Sequence, residues 1–349
     1  MTKKRVIGWD LFRLLQIYPI VHFHILEATF SAASEPESLF NSSLYSIVTA
    51  IDKFFTTGGL NIVAVSFFVI GFKSLSVKRF KYLLPILITG VLSLNFIYAY
   101  AETGAFYFEW DIYHYLVFMI TVVFFLDRLR KKALYMLPFF FLLSIIPFWL
   151  LDSSYLPVDI RQIFTGVCGQ DAFGIWALLP WAFWALTFWS TGVVFKDNIK
   201  LNVEKLNLVQ VLGVVGVSIG LYLFASLTYF YDSPTAPKFA CYIHRPEFLP
   251  FLAHYVSLIL LFCFVSHRKL DELLQKYSFS VTKLYWSKHL GLTYLSHIVL
   301  LSLSNIFIDL GVENGTIFIM YIVGHFIAAE LSSRFVLQFI KSLQRAKSV

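Results

Sequence analysis

Apolar residues along this chain form long uninterrupted runs rather than alternating positions. A run of roughly 17–25 apolar residues is long enough to cross a bilayer as an α-helix. The runs predict ten such spans, at residues 9–29, 56–75, 82–101, 112–126, 134–151, 173–195, 208–229, 248–266, 290–308 and 316–336. The absence of alternation argues against a membrane β-barrel. We therefore predict an all-α, polytopic membrane protein, with one domain over residues 1–349.

The charged residues predict how these spans are oriented. All but four of the 28 lysines and arginines fall on one side of the predicted membrane, in clusters at every second loop. Acidic residues concentrate in the loops of the other side. Because cytoplasmic loops carry the excess of Lys and Arg, we expect both termini to be cytoplasmic.

Composition excludes other classes of protein. Hydrophobic residues make up 58% of the chain and charged residues 14%, against about 45–50% and about 25% in soluble domains. A water-soluble globular protein and a disordered chain are therefore both excluded. The net charge of +7 then reflects topology, and we expect a lipid bilayer rather than a nucleic acid as partner.

The number and positions of the cysteines and histidines argue against a disulfide scaffold and against a metal site. Three cysteines are too few for a disulfide scaffold or a cysteine-rich zinc module. Cys168 and Cys241 both fall in predicted outer loops, and a disulfide between them is left open. The histidines are dispersed over different helices and loops, so no metal-ligand set is expected. Motifs of nucleotide-binding loops, zinc proteases and serine hydrolases are absent from the sequence.

The first predicted helix carries ionisable residues, which are costly in a membrane and indicate function by default. Arg13 and His24 are eleven residues apart, which places them within about 20° on one helical face. Glu27 follows His24 by three residues on that face, whereas His22 points the opposite way. A neutral imidazole can take a proton from an attacking group, a carboxylate can orient it, and an arginine can bind a phosphate or carbonyl. Hydrogen bonding between helices is the alternative for each.

Further candidates lie at the two membrane surfaces. Lys78, Arg79 and Lys81 form a cytoplasmic basic patch that can bind phosphates or act as a topology signal. Asp111 and His114, three residues apart at an outer helix end, can bind a polar acceptor. His297, in the outer half of an apolar helix, is a third acceptor-binding candidate, and structural hydrogen bonding is again the alternative.

The order of several short motifs resembles the transmembrane acyltransferase superfamily. Trp9-Asp-Leu-Phe-Arg13 with His24 is similar to its opening, which has an aspartate, an arginine and a histidine eleven residues later. Further similar segments are Ser66–Phe72, Lys78–Pro85, Glu109–His114, Leu178–Gly192 and Leu290–His297. The superfamily includes the acyltransferase-3 and heparan-α-glucosaminide N-acetyltransferase-like families. Two departures are Leu14, where a glycine is usual, and Tyr82, where some members carry a second arginine.

This resemblance implies an enzyme that transfers an acyl group, expected to be acetyl, from cytoplasmic acyl-CoA to a glycan or envelope acceptor outside. His24, Arg13 and Glu27 would be catalytic, and Lys78, Arg79 and Lys81 would bind the donor. Asp111, His114 and His297 would bind the acceptor. The expected location is a bacterial inner membrane, with the oligomeric state open. A proton-coupled transporter or flippase is the alternative from another class, and a structural membrane subunit is a third.

Overall fold

The computed structural model describes residues 7–32, 58–98, 112–145, 178–196, 206–230, 248–265, 289–307 and 315–346, with seven isolated residues between these ranges. Within α1, the side chains of His22, His24 and Glu27 lie outside the described part. The described ranges are helical apart from short turns and contain no strand. The predicted all-α fold class is thereby confirmed.

The helices follow the predicted apolar runs. In chain order they are α1 (Ile7–Ala32), α2 (Gly58–Lys73), α3 (Val77–Ser93) with a π-helical end (Leu94–Tyr98), α4 (Ile112–Leu126), a 3-10 segment (Asp127–Lys132), α5 (Ala133–Ser144), α6 (Leu178–Val194), α7 (Leu208–Phe230), α8 (Phe248–Val265), α9 (Leu290–Phe307) and α10 (Gly315–Ala346). Each predicted span overlaps one of these helices. The sequence also predicts an interfacial helix, or an extension of the second span, at residues 44–55, and this segment lies outside the described residues.

Two helical runs in the described part of the chain are long and apolar enough to cross a membrane by length and composition. They are Ile112–Ser144, of 33 residues, and Ile319–Ile340, of 22 residues. Shorter apolar helices cover Asn61–Lys73, Val209–Ala225, Phe251–Phe264 and Leu290–Leu303. The number of ten membrane-spanning helices stays a prediction.

Helix α10 buries several polar residues and exposes many large apolar ones. His325, Glu330 and Ser333 are buried. Exposed large apolar side chains recur every three or four residues, at Met320, Val323, Ile327, Leu331, Phe335 and Phe339. Among its described residues, exposed polar side chains, Gln338 and Ser342, occur only toward the C-terminal end of the helix. A helix on the surface of a soluble protein shows the opposite arrangement. This distribution is typical of a helix that faces lipid.

The chain divides into two compact units, each assembled from separated parts of the sequence. Unit 1 comprises Met1–Trp9, Gly59–Ile88 and Glu109–Gln275. Unit 2 comprises Asp10–Gly58, Thr89–Phe108 and Lys276–Val349. This division does not test the prediction of one domain over residues 1–349, which stays a prediction.

In unit 1, the backbones of α2 and α6 approach each other closely at two glycines. A Cβ at Gly71 would collide with the backbone carbonyl of Trp189, and a Cβ at Gly192 would collide with that of Phe68. Only glycine lets two helix backbones approach this closely. Both glycines belong to the motif segments singled out in the sequence, and their packing supplies a physical reason for glycine at each position.

Unit 2 contains α9, α10 and most of α1. The aromatic rings of Tyr18 on α1 and Phe326 on α10 stack with their centroids 5.6 Å apart. Trp286 packs on the same Phe326, at 4.8 Å, and its indole N–H donates to the Phe326 carbonyl. Its backbone N–H donates to the buried carboxylate of Glu330. These contacts tie the chain before α9 to α10.

Candidate functional site

Arg13 forms an ion pair with Asp10, one helical turn earlier in α1. The Asp10 residue is only 2% exposed and the Arg13 side chain 20%. The Nη2 of Arg13 donates to Asp10, while its buried Nε–H has no hydrogen-bond partner in the described part of the chain. A guanidinium has five N–H donors. The pair thus holds the arginine in place without using all of its hydrogen-bonding capacity.

His24 and Glu27 lie on α1, but their side chains lie outside the described residues. The α1 backbone is helical from Ile7 to Ala32, as the eleven-residue spacing between Arg13 and His24 requires. The shared face of Arg13, His24 and Glu27 stays a prediction.

His297 is fully buried and hydrogen-bonded to a second histidine. Its Nδ1 lies 2.7 Å from Nε2 of His325, and the two rings meet edge to face with centroids 4.8 Å apart. The rings of Tyr294 and Tyr321 lie 5.7 and 5.8 Å from His297 and His325. From the sequence, His297 is a candidate site residue, whereas interhelical packing is the favoured interpretation of His325, and nothing in the sequence pairs the two. His325 lies 28 residues later, and only the packing of α9 on α10 brings the two together.

Lys78, Arg79 and Lys81 lie in the first turns of α3 and are exposed. Ser76 starts this helix, because its hydroxyl accepts a hydrogen bond from the backbone N–H of Arg79, at 3.3 Å. A serine whose hydroxyl accepts a hydrogen bond from the backbone N–H three residues later is a typical helix N-cap. The predicted basic patch is therefore on the surface of unit 1, accessible to a ligand.

The turn before this patch is bound to a distant basic segment, which sequence reasoning missed. The Ser74 hydroxyl donates to Asp127 over 2.8 Å, and Arg130 donates to the same carboxylate, also over 2.8 Å. Arg130 also donates to the carbonyl of Gly71, near the end of α2. The one signal for this contact was Asp127, an acid beside a run of four basic residues.

The predicted outer pair is described only in part. Asp111 lies outside the described residues, and His114 is half-buried in the first turn of α4. Next to it, Tyr115 is fully buried and its hydroxyl donates to the carbonyl of Trp181, at 2.7 Å. That bond fixes the start of α4 against α6. Whether Asp111 and His114 act together stays a prediction.

A further buried histidine belongs to a network of three helices in unit 1. Nε2 of His254 on α8 lies 2.7 Å from Oδ1 of Asn61 on α2. The amide nitrogen of Asn61 donates to the hydroxyl of Tyr222 on α7, at 3.3 Å. From the sequence, interhelical packing is the favoured interpretation of His254.

The structure places the predicted residues in both units. Arg13 and His297 belong to unit 2; Lys78, Arg79, Lys81 and His114 belong to unit 1. No family model, curated protein or solved structure matches the chain. The described residues contain no group of three or more His, Cys, Asp or Glu side chains that could hold a metal ion. Cys168 and Cys241 lie outside the described residues.

Proposed function

We propose that the protein is an integral membrane acyltransferase that moves an acyl group from cytoplasmic acyl-CoA to an extracytoplasmic glycan or envelope acceptor. The observation that carries this proposal is the Asp10–Arg13 pair. A buried ion pair is costly, and a buried N–H without a partner adds a further cost. Such a group is explained if its remaining donors serve a ligand with carbonyl or phosphate oxygens, as an acyl-CoA has.

The distribution of apolar surface supports the membrane location. Exposed aromatic and aliphatic side chains cover α10, and others lie on the run from Ile112 to Ser144, where Tyr135 is 79% exposed. A monomeric soluble protein rarely exposes apolar patches of this extent. We propose a multi-pass protein of a bacterial inner membrane, with about ten spans and both termini cytoplasmic.

The chemistry that we propose is transfer of the acyl group from sulfur to oxygen or nitrogen. The acceptor hydroxyl or amine attacks the thioester carbonyl, the C–S bond breaks, and CoA leaves as the thiol. His24 takes the proton of the acceptor, Glu27 stabilises the resulting imidazolium, and the imidazolium returns the proton to the departing CoA sulfur. Arg13, which lies about 16 Å from His24 along the helix axis, lines the path of the donor and binds one of its carbonyl or phosphate oxygens. Transfer through an acyl-enzyme on His24 remains an open variant of the same proposal.

The exposed patch of Lys78, Arg79 and Lys81 would bind the donor phosphates, and Asp111, His114 and His297 would bind the acceptor. We propose no metal in this reaction. The donor is a substrate rather than a resident cofactor.

A proton-coupled transporter or flippase is the second candidate, and the His297–His325 pair favours it. Two imidazoles joined by one hydrogen bond can pass a proton between them. Ionisable pairs buried among membrane helices are common in proton relays.

The deciding experiment measures thioester consumption by purified protein in proteoliposomes that contain acyl-CoA and a glycan acceptor. We expect CoA release and labelling of the acceptor, both abolished in His24→Ala. His22→Ala is the matched control, because His22 lies two residues away on the opposite predicted face, and it should remain active. Proton flux without CoA release would support the transporter instead. Equal activity of the two histidine variants would remove His24 from the mechanism.

A further inference from the structure

Two basic segments about 50 residues apart in sequence meet at one place in unit 1. The first is the start of α3, with Lys78, Arg79 and Lys81. The second is the 3-10 segment, with Arg128, Lys131 and Lys132, all exposed. We call these six cations, together with the contacts that join their segments, the basic junction.

The junction is held by a hydrogen-bonded connection at the end of α2. Ser74 has a left-handed backbone conformation, with φ of 70°, and its N–H closes the helix on the carbonyl of Ile70, at 2.8 Å. Glycine is the usual residue at such a helix end, and a non-glycine residue there is strained. Serine contributes what glycine lacks, a hydroxyl that donates to Asp127.

Two more contacts position the segments. Arg130 bridges Asp127 and the Gly71 carbonyl, which satisfies one of the carbonyls left open at a helix C-terminus. The rings of Phe80 on α3 and Phe124 on α4 stack with centroids 4.3 Å apart. Both basic segments are therefore anchored to each other independently of their exposed cations.

The exposed cations are left largely uncompensated. Asp127 is the one acid of the 3-10 segment, and it is engaged by Arg130 and Ser74. In the part of the chain that the structure describes, Lys78, Lys81, Lys131 and Lys132 have no ion-pair partner. Clustered charges of one sign create a field that concentrates ligands of the opposite sign.

We infer that the basic junction is one binding site for the phosphates of a nucleotide-type ligand, in which Arg128, Lys131 and Lys132 complete the patch on α3. The ligand follows from the proposed function, on which this inference rests: CoA carries a pyrophosphate and a separate 3′-phosphate. Three cations on one short turn suit one phosphate group, whereas two anchored segments can contact groups that lie apart. Asp127 is the positioning residue of the site, since it joins the segments without touching the ligand.

Replacing Asp127 tests its role, because the two explanations of the patch predict opposite changes in anion affinity. Removing an acid from a basic surface should strengthen anion binding if only the overall field matters. Removing Asp127 should weaken it if the carboxylate holds the two segments together. Ser74→Gly is the matched variant, because glycine keeps the left-handed turn and deletes only the hydroxyl that reaches Asp127.

The experiment measures equilibrium binding of CoA, and of CoA lacking its 3′-phosphate, to the purified full-length chain in uncharged detergent. We expect Lys131→Gln/Lys132→Gln to raise the Kd for CoA about two- to fivefold for each cation removed, a range typical of exposed charge contacts. Added salt should raise the Kd of the wild type further, since exposed charges are screened. Asp127→Ala and Ser74→Gly should also raise the Kd, while the exposed Lys276→Gln in unit 2 leaves it within about twofold.

Several results would overturn the inference. They are absence of CoA binding by the wild type, unchanged affinity in the double lysine variant, and tighter binding in Asp127→Ala. Binding of phosphatidylglycerol that is weakened in the double lysine variant, without binding of CoA, would assign the surface to lipid headgroups instead. If Asp127→Ala fails to fold in a thermal melt, Ser74→Gly and Asp127→Asn decide. Because binding is read without turnover, a wild type that binds CoA and transfers no acyl group refutes the proposed function and leaves the junction intact.

Discussion

Each unit of this protein buries a histidine, and the two histidines have partners of different kinds. In unit 1, His254 faces the amide oxygen of Asn61, which can only accept, so Nε2 must carry the hydrogen. In unit 2, His297 faces another imidazole, and either ring can be the donor. The first arrangement has one proton configuration. The second can pass a proton from one ring to the other once the pair holds an additional proton, as an imidazolium donating to a neutral imidazole.

The kind of hydrogen-bond partner distinguishes a structural histidine from a functional one better than the degree of burial does. Both histidines are almost inaccessible to solvent, and both form a hydrogen bond to a residue of another helix. A buried hydrogen bond with fixed donor and acceptor contributes to stability and specificity. A pair that can relocate its proton is suited to acid–base work or proton movement. We therefore expect substitutions at His254 to change stability and those at His297 to change turnover.

The largest effect is expected from His254→Ala. The change removes the ring from a closely packed site and leaves Asn61 without its hydrogen bond from the imidazole. A cavity and a lost partner together should cost about 2–4 kcal/mol of unfolding free energy. Thermal melting of the detergent-solubilised protein measures the loss, and acyl transfer per folded molecule should be unchanged. A catalytic defect without destabilisation would break the comparison.

The sequence predicted those features of the two histidine sites that depend on local sequence, and it did not predict those that depend on how helices pack. Apolar runs predicted the helices because a helix such as α1 follows from local composition and length. They predicted His297 as a candidate because an ionisable group in an apolar run is conspicuous. They did not predict Asn61 or His325 as partners, because those contacts depend on which helices pack together and in what rotation.

For the basic segments, too, the sequence predicted the residues but not their contacts with other helices. Sequence identified Lys78, Arg79 and Lys81 as a patch and Arg130 as one of many cytoplasmic cations. The use of Arg130 at the Gly71 carbonyl depends on the approach of the 3-10 segment to the end of α2. Similarly, Gly71 and Gly192 were noted within motifs, while their roles follow from the crossing of α2 and α6. Interactions within one helix were within reach of the sequence, and those between helices were not.

The second largest effect is expected from His297→Ala in unit 2. Because we propose that His297 binds the acceptor, kcat/KM for the acceptor should fall roughly 10- to 100-fold, which corresponds to about 1.4–2.7 kcal/mol of lost transition-state stabilisation. The matched change is His254→Ala, with activity normalised to folded protein. Initial rates over a range of acceptor concentrations measure the effect. Equal activity of the two variants would show that the kind of partner does not matter.

A third test replaces one member of the pair by a side chain that cannot pass a proton. In His325→Gln, the side-chain amide can occupy the position of the imidazole Nε2 and keep a hydrogen bond to His297. The melting temperature should stay near that of the wild type, while kcat falls about tenfold, the lower end of the range for acid–base groups. In unit 1, His254→Gln keeps a donor for Asn61 and should retain both stability and activity. A fully active His325→Gln would reduce the pair to a structural contact.

The smallest effect is expected from Tyr222→Phe, which tests whether the unit 1 network is purely structural. The change deletes only the hydroxyl that accepts from Asn61 and leaves the ring, which packs edge-on to His254 at 5.8 Å. A single neutral hydrogen bond contributes about 0.5–1.5 kcal/mol, so we expect a loss in that range and no change in kcat or KM. Combining it with His254→Ala should cost less than the sum of the two, because residues of one hydrogen-bond network are energetically coupled. Additive losses would show that Tyr222 and His254 act independently, and that Asn61 does not link them.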